Sequence, residues 1–284
     1  MQNIPILDES DLEILMHRDC HFGKNFGIML DYYQKEGVGC HPEIEISAIA
    51  NLQQIEEALN EDLSDKLLPE HEKTRVTKMR DLYRELRDNY KNGGRLAELL
   101  CDLLLSEEEE PTKEIDALAR ASDCTPLIDL LGSETFYDPL SPGYGRAPML
   151  AAKVLAKIGD PKAIIPLFIS LKHEDFFFEQ EIQNALTSFG IEAITFLLKV
   201  LKQKPLSIDN DTAARPLSYF STEKEVAETA LILLNDPEFT QNIPLASYLI
   251  SLASQEKEKL KKLLESDLAT ELKEEITFIT KNHY

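Results

Sequence analysis

The chain has 284 residues, 43% of them hydrophobic, which is enough for a sizeable packed core. Its 51 acidic residues outnumber its 30 basic residues, giving a net charge of −21. We therefore expect neither a nucleic-acid nor an anionic-membrane partner, because phosphate groups attract cationic surfaces. The four cysteines are too scattered for a disulfide framework, and no apolar run approaches the roughly 18 residues that span a bilayer. Since the first ten residues also lack a secretory-signal pattern, we predict a cytoplasmic protein.

Helical periodicity dominates the first third of the chain, and no segment alternates with the period of a strand. We predict helices over about 8–18, 21–36, 43–60, 72–90 and 95–106. Glycines end these helices and a proline opens one of them, as at Gly37, Gly39 and Pro42. Residues 1–95 match the repeat of the later helices poorly, so we expect a helical N-terminal layer stacked on a second region over 96–284. The two together are expected to form one continuous elongated domain.

Shorter helices in pairs follow. We predict hairpins over 112–131, 149–172 and 176–202, and a further pair made of 222–234 and 243–254. Residues 205–221 lack apolar rhythm and are expected to form a loop, whereas Thr222 and Glu225 have the spacing of a capping box. Charged amphipathic helices over 255–265 and 267–281 are expected to form a polar end cap.

One turn recurs between the paired helices. An apolar helix over 151–158 ends at Gly159, and Asp160-Pro161 then opens the next helix. Gly190, 31 residues after Gly159, ends a similar helix. Asn235-Asp236-Pro237 then stands where Gly159-Asp160-Pro161 does in the first pair. These residues resemble the HEAT-like repeat family in its short bacterial, bilin-lyase-type form, over about 112–254. The resemblance implies an all-α superhelix, a solenoid of stacked antiparallel helix pairs.

Proteins of the HEAT-like family mostly bind other proteins, so the resemblance implies a non-enzymatic scaffold without a cofactor. Its protein partner is expected on the concave groove of the solenoid and on the 132–148 loop. An acidic antagonist of a basic protein, of the immunity type, is a narrower alternative. Some bacterial relatives are bilin lyases or DNA-base glycosylases, but no residue here matches their functional positions. The chain also has no tryptophan for base stacking. The protein partner and the oligomeric state stay open.

A second alternative is an enzyme, either metal-dependent or a lyase, that uses the region from His17 to His41. The potential metal ligands of this region are His17, Asp19, Cys20, His21, Cys40 and His41. Both Cys-His pairs are adjacent in sequence, and adjacent helical residues point about 100° apart. A capped helix junction with one buried cysteine therefore explains the cluster more simply, and we predict no metal site.

Two further features are candidate partner-binding surfaces. Arg80, Arg84 and Arg87 belong to a basic row on the predicted 72–90 helix, which would either dock acidic groups of a partner or pair with acids on neighbouring helices. The insertion 132–148 is rich in proline and aromatic residues and is expected to be stiff. Its candidate contacts are Phe136, Tyr137, Tyr144 and Arg146. Alternatively, this loop is a lid that packs Phe136, Tyr137 and Leu140 over the helices.

Overall fold

The computed structural model describes residues 9–172 and 176–281, and all regular structure in these ranges is helical. The described part contains eighteen α-helices, four short 3-10 helices and no strand. The prediction of an all-α protein is therefore confirmed. The chain divides into two compact units, residues 1–154 and residues 155–284.

The first unit contains eight helices and the beginning of a ninth. They are α1 (Glu9–His21), α2 (Phe26–Gln34), α3 (Ile46–Leu59), α4 (Leu63–Leu67), α5 (Glu70–Asn92), α6 (Gly94–Leu104), α7 (Thr112–Ala121), α8 (Thr125–Gly132) and α9 (Ala147–Ile158). Helix α1 packs against α3, α4 and α5, and α6 packs against both α5 and α7. The boundary expected after residue 95 falls in the first turn of α6, which contacts α5 within this unit.

Helix α1 is longer than predicted. It continues past Arg18 to His21, and the next helix begins only at Phe26. The backbone between them turns through left-handed conformations at Gly23 (φ 60°) and Lys24 (φ 64°), and the first of these is readily available to a glycine. Asn25 then caps α2 by accepting a hydrogen bond from the backbone N–H of Ile28. The potential ligands at 17–21 consequently share one helix.

The helices that follow α9 belong to the second unit. They are α10 (Ile164–Ser170), α11 (Phe176–Thr187), α12 (Ile191–Leu201), α13 (Ile208–Leu217), α14 (Lys224–Leu233), α15 (Pro237–Gln241), α16 (Ile243–Leu252), α17 (Lys257–Lys262) and α18 (Thr270–Lys281). Helix α16 contacts α13, α14, α15 and α18, and α13 also packs against α12. Helix α16 therefore lies at the centre of this group of helices.

The loop prediction for 205–221 is wrong, because helix α13 occupies most of that segment. The capping box lies at Ser207 and Asn210, and the expected one at Thr222 is absent, since α14 begins at Lys224 without a side-chain cap. Asn210 is 1% exposed and donates to the carbonyl oxygens of Leu201 and Gln203 (2.9 Å each) at the end of α12. The amide of Asn210 thus caps both α12 and α13. The polar residues around it gave no sign of a helix in the sequence.

Several second helices of the predicted pairs repeat one pattern of burial. Residues 161–171 and 191–201 have the same burial class at every position. The shared buried positions are 163, 164, 167, 168, 170 and 171 around α10, 193, 194, 197, 198, 200 and 201 around α12, and 245, 246, 249, 250, 252 and 253 around α16. These helices therefore bury equivalent faces, as structural repeats do.

Candidate functional site

A small cavity in the first unit lies between α1 and the irregular segment that joins α2 to α3. It has a volume of about 250 Å³, and its lining includes His17, Cys40, His41 and Tyr144. The ring centroids of His17 and His41 are 5.4 Å apart, and those of His17 and His21 are 5.3 Å apart. Three of the sequence-predicted histidines therefore meet in the fold.

His17 is the unusual member of this group. It is 1% exposed, and neither of its ring nitrogens has a hydrogen-bond partner. Its Nε2 lies 3.9 Å from Oε1 of Glu13, one helical turn earlier, which is too long for a hydrogen bond. Burial, with added repulsion from His21 and His41, lowers the pKa of His17 to about 3, so the ring is neutral near pH 7.

The other potential ligands on α1 have structural partners. His21 accepts from the hydroxyl of Tyr83 at Nδ1 (2.8 Å) and donates from Nε2 to the carbonyl oxygen of Pro139 (3.0 Å), which fixes its tautomer. Asp19 pairs with Arg18 at 2.8 Å. The Cys20 thiol contacts the carbonyl oxygen of Val76, and burial raises the pKa of this thiol to about 12.

The two potential ligands after α2, Cys40 and His41, have weaker hydrogen-bond contacts. Cys40 lies against the carbonyl oxygen of Tyr32, and His41 Nδ1 accepts from the backbone N–H of Glu43 (3.3 Å). Across residues 9–172 and 176–281, no group of three or more His, Cys, Asp or Glu side chains is arranged to hold a metal ion. The residues that retain uncommitted ring nitrogens at the cavity are His17 and His41.

The 132–148 insertion contacts the N-terminal helices of the first unit. Leu140 is fully buried and belongs to the core formed by α1 to α5. Asp138 accepts two hydrogen bonds from Arg75, at 2.8 and 2.9 Å. Burial alone would raise the pKa of Asp138, but these bonds hold it below its ordinary value. The insertion is therefore anchored at its centre by an apolar contact and an ion pair.

Tyr144 forms the second anchor of the insertion. Its ring centroid is 4.7 Å from that of His21, and its hydroxyl donates to Glu107 (2.9 Å). The ring lies so close to Gly39 that a Cβ at that position would come within 2.3 Å of it. Tyr144 has a φ of 59°, which is unfavourable for a tyrosine. Its contacts therefore hold it in a strained conformation.

The other predicted contacts of the insertion also have partners within the chain. The Tyr137 hydroxyl donates to the carbonyl oxygen of Leu131 (2.8 Å). The Arg146 guanidinium donates to the carbonyl oxygens of Ser106 (2.9 Å) and Glu108 (3.3 Å). Phe136 is half-buried and lines an open groove, so it is the predicted loop contact best placed to meet a partner.

These contacts predict that the insertion stabilises the fold. We expect Tyr144→Ala to lower the free energy of unfolding by about 2 kcal/mol, because it removes a ring contact and a hydrogen bond. Tyr90→Ala, at a position 45% exposed on α5, is the control and should change the stability little. Urea unfolding followed by circular dichroism measures both. Equal losses in the two variants would contradict an anchoring role for Tyr144.

The basic row lies on an exposed side of α5. Arg84 pairs with Asp81 on the same helix at 2.8 Å, and both side chains are about half exposed or more. Within the described part of the chain, Arg80 and Arg87 form no ion pair, and none of the three arginines pairs with a neighbouring helix. The row is a solvated helix face, and its docking role stays a prediction.

An apolar groove lies on the opposite side of α5, between α5, α6 and α8. Its volume is about 370 Å³, and its apolar lining includes Leu82, Leu86, Ala97, Leu100, Leu130 and Phe136. Its charged lining residues, Glu85 and Asp129, are both acidic. A larger depression of about 670 Å³ continues along α5, but most of the residues that line it are polar or charged. Sequence reasoning missed the groove, because four separate segments form it: α5, α6, α8 and the insertion.

No protein-family model matches the chain, and no curated protein is significantly similar to it. Over the described ranges, no individual helix combines the length and apolar character needed to cross a membrane. The segments Phe178–Thr187 and Ile191–Leu201 satisfy these two requirements only when taken together, and they meet at a bend of 116°.

Proposed function

We propose that this protein is a non-enzymatic scaffold that binds a protein partner in the groove between α5, α6 and α8. The observation that carries the proposal is the groove itself, whose half-buried Leu82, Leu86, Ala97 and Leu100 stay accessible from one side. Contiguous apolar side chains with a polar rim are typical of protein-binding sites. Phe136 connects this groove to the insertion that the sequence indicated.

We further propose that α8, α10, α12 and α16 are second helices of HEAT-like repeats, and that the pairs stack as a solenoid. The common burial pattern of α10, α12 and α16 supports this assignment. Helix α8 follows the same pattern at 124, 127, 130 and 131.

Free thiols at all four cysteines support a reducing, cytoplasmic location.

Site-specific photo-cross-linking tests the binding proposal. A benzophenone amino acid replaces Asn89, which lines the groove, and in a control protein it replaces Lys91, which points away from the groove. In an extract of the cells that produce the protein, we expect one defined adduct from position 89 and none from position 91. Adding Leu86→Gln should abolish this adduct. The same products from both positions, or an adduct insensitive to Leu86→Gln, would contradict the proposal.

The enzyme alternative has one supporting observation, the buried and unpartnered His17 beside His41. A metal-dependent version needs a third ligand, and Glu13 is the nearest carboxylate on α1. A stoichiometric metal in the purified protein would favour this alternative over the scaffold.

A further inference from the structure

The rim of the α5–α6–α8 groove is acidic. Glu85 and Asp129 are exposed, and in the described part of the chain neither forms an ion pair or a side-chain hydrogen bond. Their carboxylates are therefore available to a ligand that enters the groove. We infer that the partner segment is a basic amphipathic helix, an inference that rests on the proposed binding function.

The shape of the groove favours a helical ligand. Leu82 and Leu86 lie one turn apart on α5, and Ala97 and Leu100 lie one turn apart on α6. Two such rows form the walls into which an amphipathic helix inserts apolar side chains spaced three and four residues apart. Lysine or arginine residues flanking that apolar face would lie near the acidic rim.

Electrostatics favours a cationic ligand over an anionic one. A negatively charged segment in the groove would approach Glu85 and Asp129, and like-charge contacts are strongly unfavourable at interfaces. Lys73 and Lys78 line the adjoining depression but not the groove itself. The net charge of −21 also attracts cationic partners over longer distances. The basic row of Arg80, Arg84 and Arg87 does not alter this, because these residues point to the side of α5 opposite Leu82 and Leu86.

A panel of synthetic helical peptides tests the inference on the full chain. Three members share one leucine and phenylalanine face, and the positions that flank it are lysine in the first, glutamate in the second and glutamine in the third. A fourth, lysine-containing peptide has the same composition in an order that destroys the apolar face. Fluorescence anisotropy measures the affinities. We expect the basic amphipathic peptide to bind at least tenfold more tightly than the other three, with an affinity that falls as salt rises.

Variants of the protein locate this binding. The double variant Glu85→Lys with Asp129→Lys should lower the affinity for the basic peptide at least tenfold. The control variant, Asp88→Lys with Asp102→Lys, makes the same change in net charge at exposed positions outside the groove. It should lower the affinity for the basic peptide less than threefold. Leu86→Gln should also lower the affinity for the basic peptide about tenfold.

The possible failures are distinguishable. The glutamate or glutamine peptide could bind as tightly as the basic one while Leu86→Gln still lowers the affinity for these peptides. In that case the basic-helix inference is wrong and the scaffold proposal stands. Equal losses in the two charge-reversed variants would show non-specific attraction and overturn the inference. If no peptide binds, or if binding is insensitive to Leu86→Gln, both proposals fail.

Discussion

We expect Arg18→Met to lower the free energy of unfolding by about 3–5 kcal/mol, which is the typical cost of removing one partner from a buried ion pair. The Arg18 side chain is completely buried on α1. Its guanidinium donates to Asp19 (2.8 Å), Glu56 (2.5 Å) and Asp62 (2.8 Å). Methionine would fill much of the same volume but would leave these carboxylates without their shared cation. Asp19, at 3% exposure, has the least access to water as a substitute.

Two further variants keep this prediction testable if Arg18→Met does not fold. Arg18→Lys retains the charge but loses the forked geometry of the guanidinium, so we expect an intermediate loss. Arg84→Met removes an exposed pair with Asp81 and should cost less than about 1 kcal/mol. Urea unfolding of all three variants measures the differences. A loss in Arg18→Met no larger than in Arg84→Met would contradict the role of the buried network.

We also expect the first unit to lose stability as the pH falls from 6.5 towards 5. Burial lowers the pKa of His17 to about 3 and that of His21 to about 4, whereas both titrate near 6.5 in the unfolded chain. In this window the unfolded chain binds protons that the folded chain does not, so acid favours unfolding. At pH 5 each histidine accounts for about 2 kcal/mol of lost stability relative to pH 8.

Histidine variants test the origin of this pH dependence. His17→Met with His21→Gln should flatten the stability profile between pH 8 and pH 5, whatever its effect on stability at pH 8. His71→Gln, at a side chain 78% exposed, should leave the profile unchanged. Glu13 acts in the opposite direction near its own titration, since burial raises its pKa, and the comparison therefore ends at pH 5. An unaltered profile in the double variant would contradict the prediction.

The sequence predicts the helices well where apolar periodicity is regular. The helices on either side of Gly159 and Gly190 are present, because alanine and leucine in one stripe bury a whole helix face. Helix α13 was missed because Asp209, Asn210 and Asp211 make its first turn resemble a loop. Its formation depends on the contact of Asn210 with the end of α12, a tertiary interaction that periodicity does not reveal.

The candidate sites were less predictable than the helices. The sequence indicated that the 132–148 insertion was important, but the partners of Tyr144 and Arg146 come from segments about 40 residues earlier. The groove combines Leu86, Leu100 and Phe136 from three separate elements. In the sequence, Leu86 alone is indistinguishable from the buried apolar residues of α5, Val76 and Met79. Only the packing of α5 and α6 beside α8 reveals that this apolar surface stays open.

Amide hydrogen exchange of the full chain, with and without the tightest-binding peptide of the panel, tests the central claim most directly. We predict that protection increases in α5 from Leu82 to Asn92, in α6 and in α8, and that Leu86→Gln abolishes the increase. The exposed Ile165 and Ile169 on α10 form a competing apolar surface. Protection that appears in α10 or around His17, with α5, α6 and α8 unchanged, would contradict the assignment of the groove as the binding site.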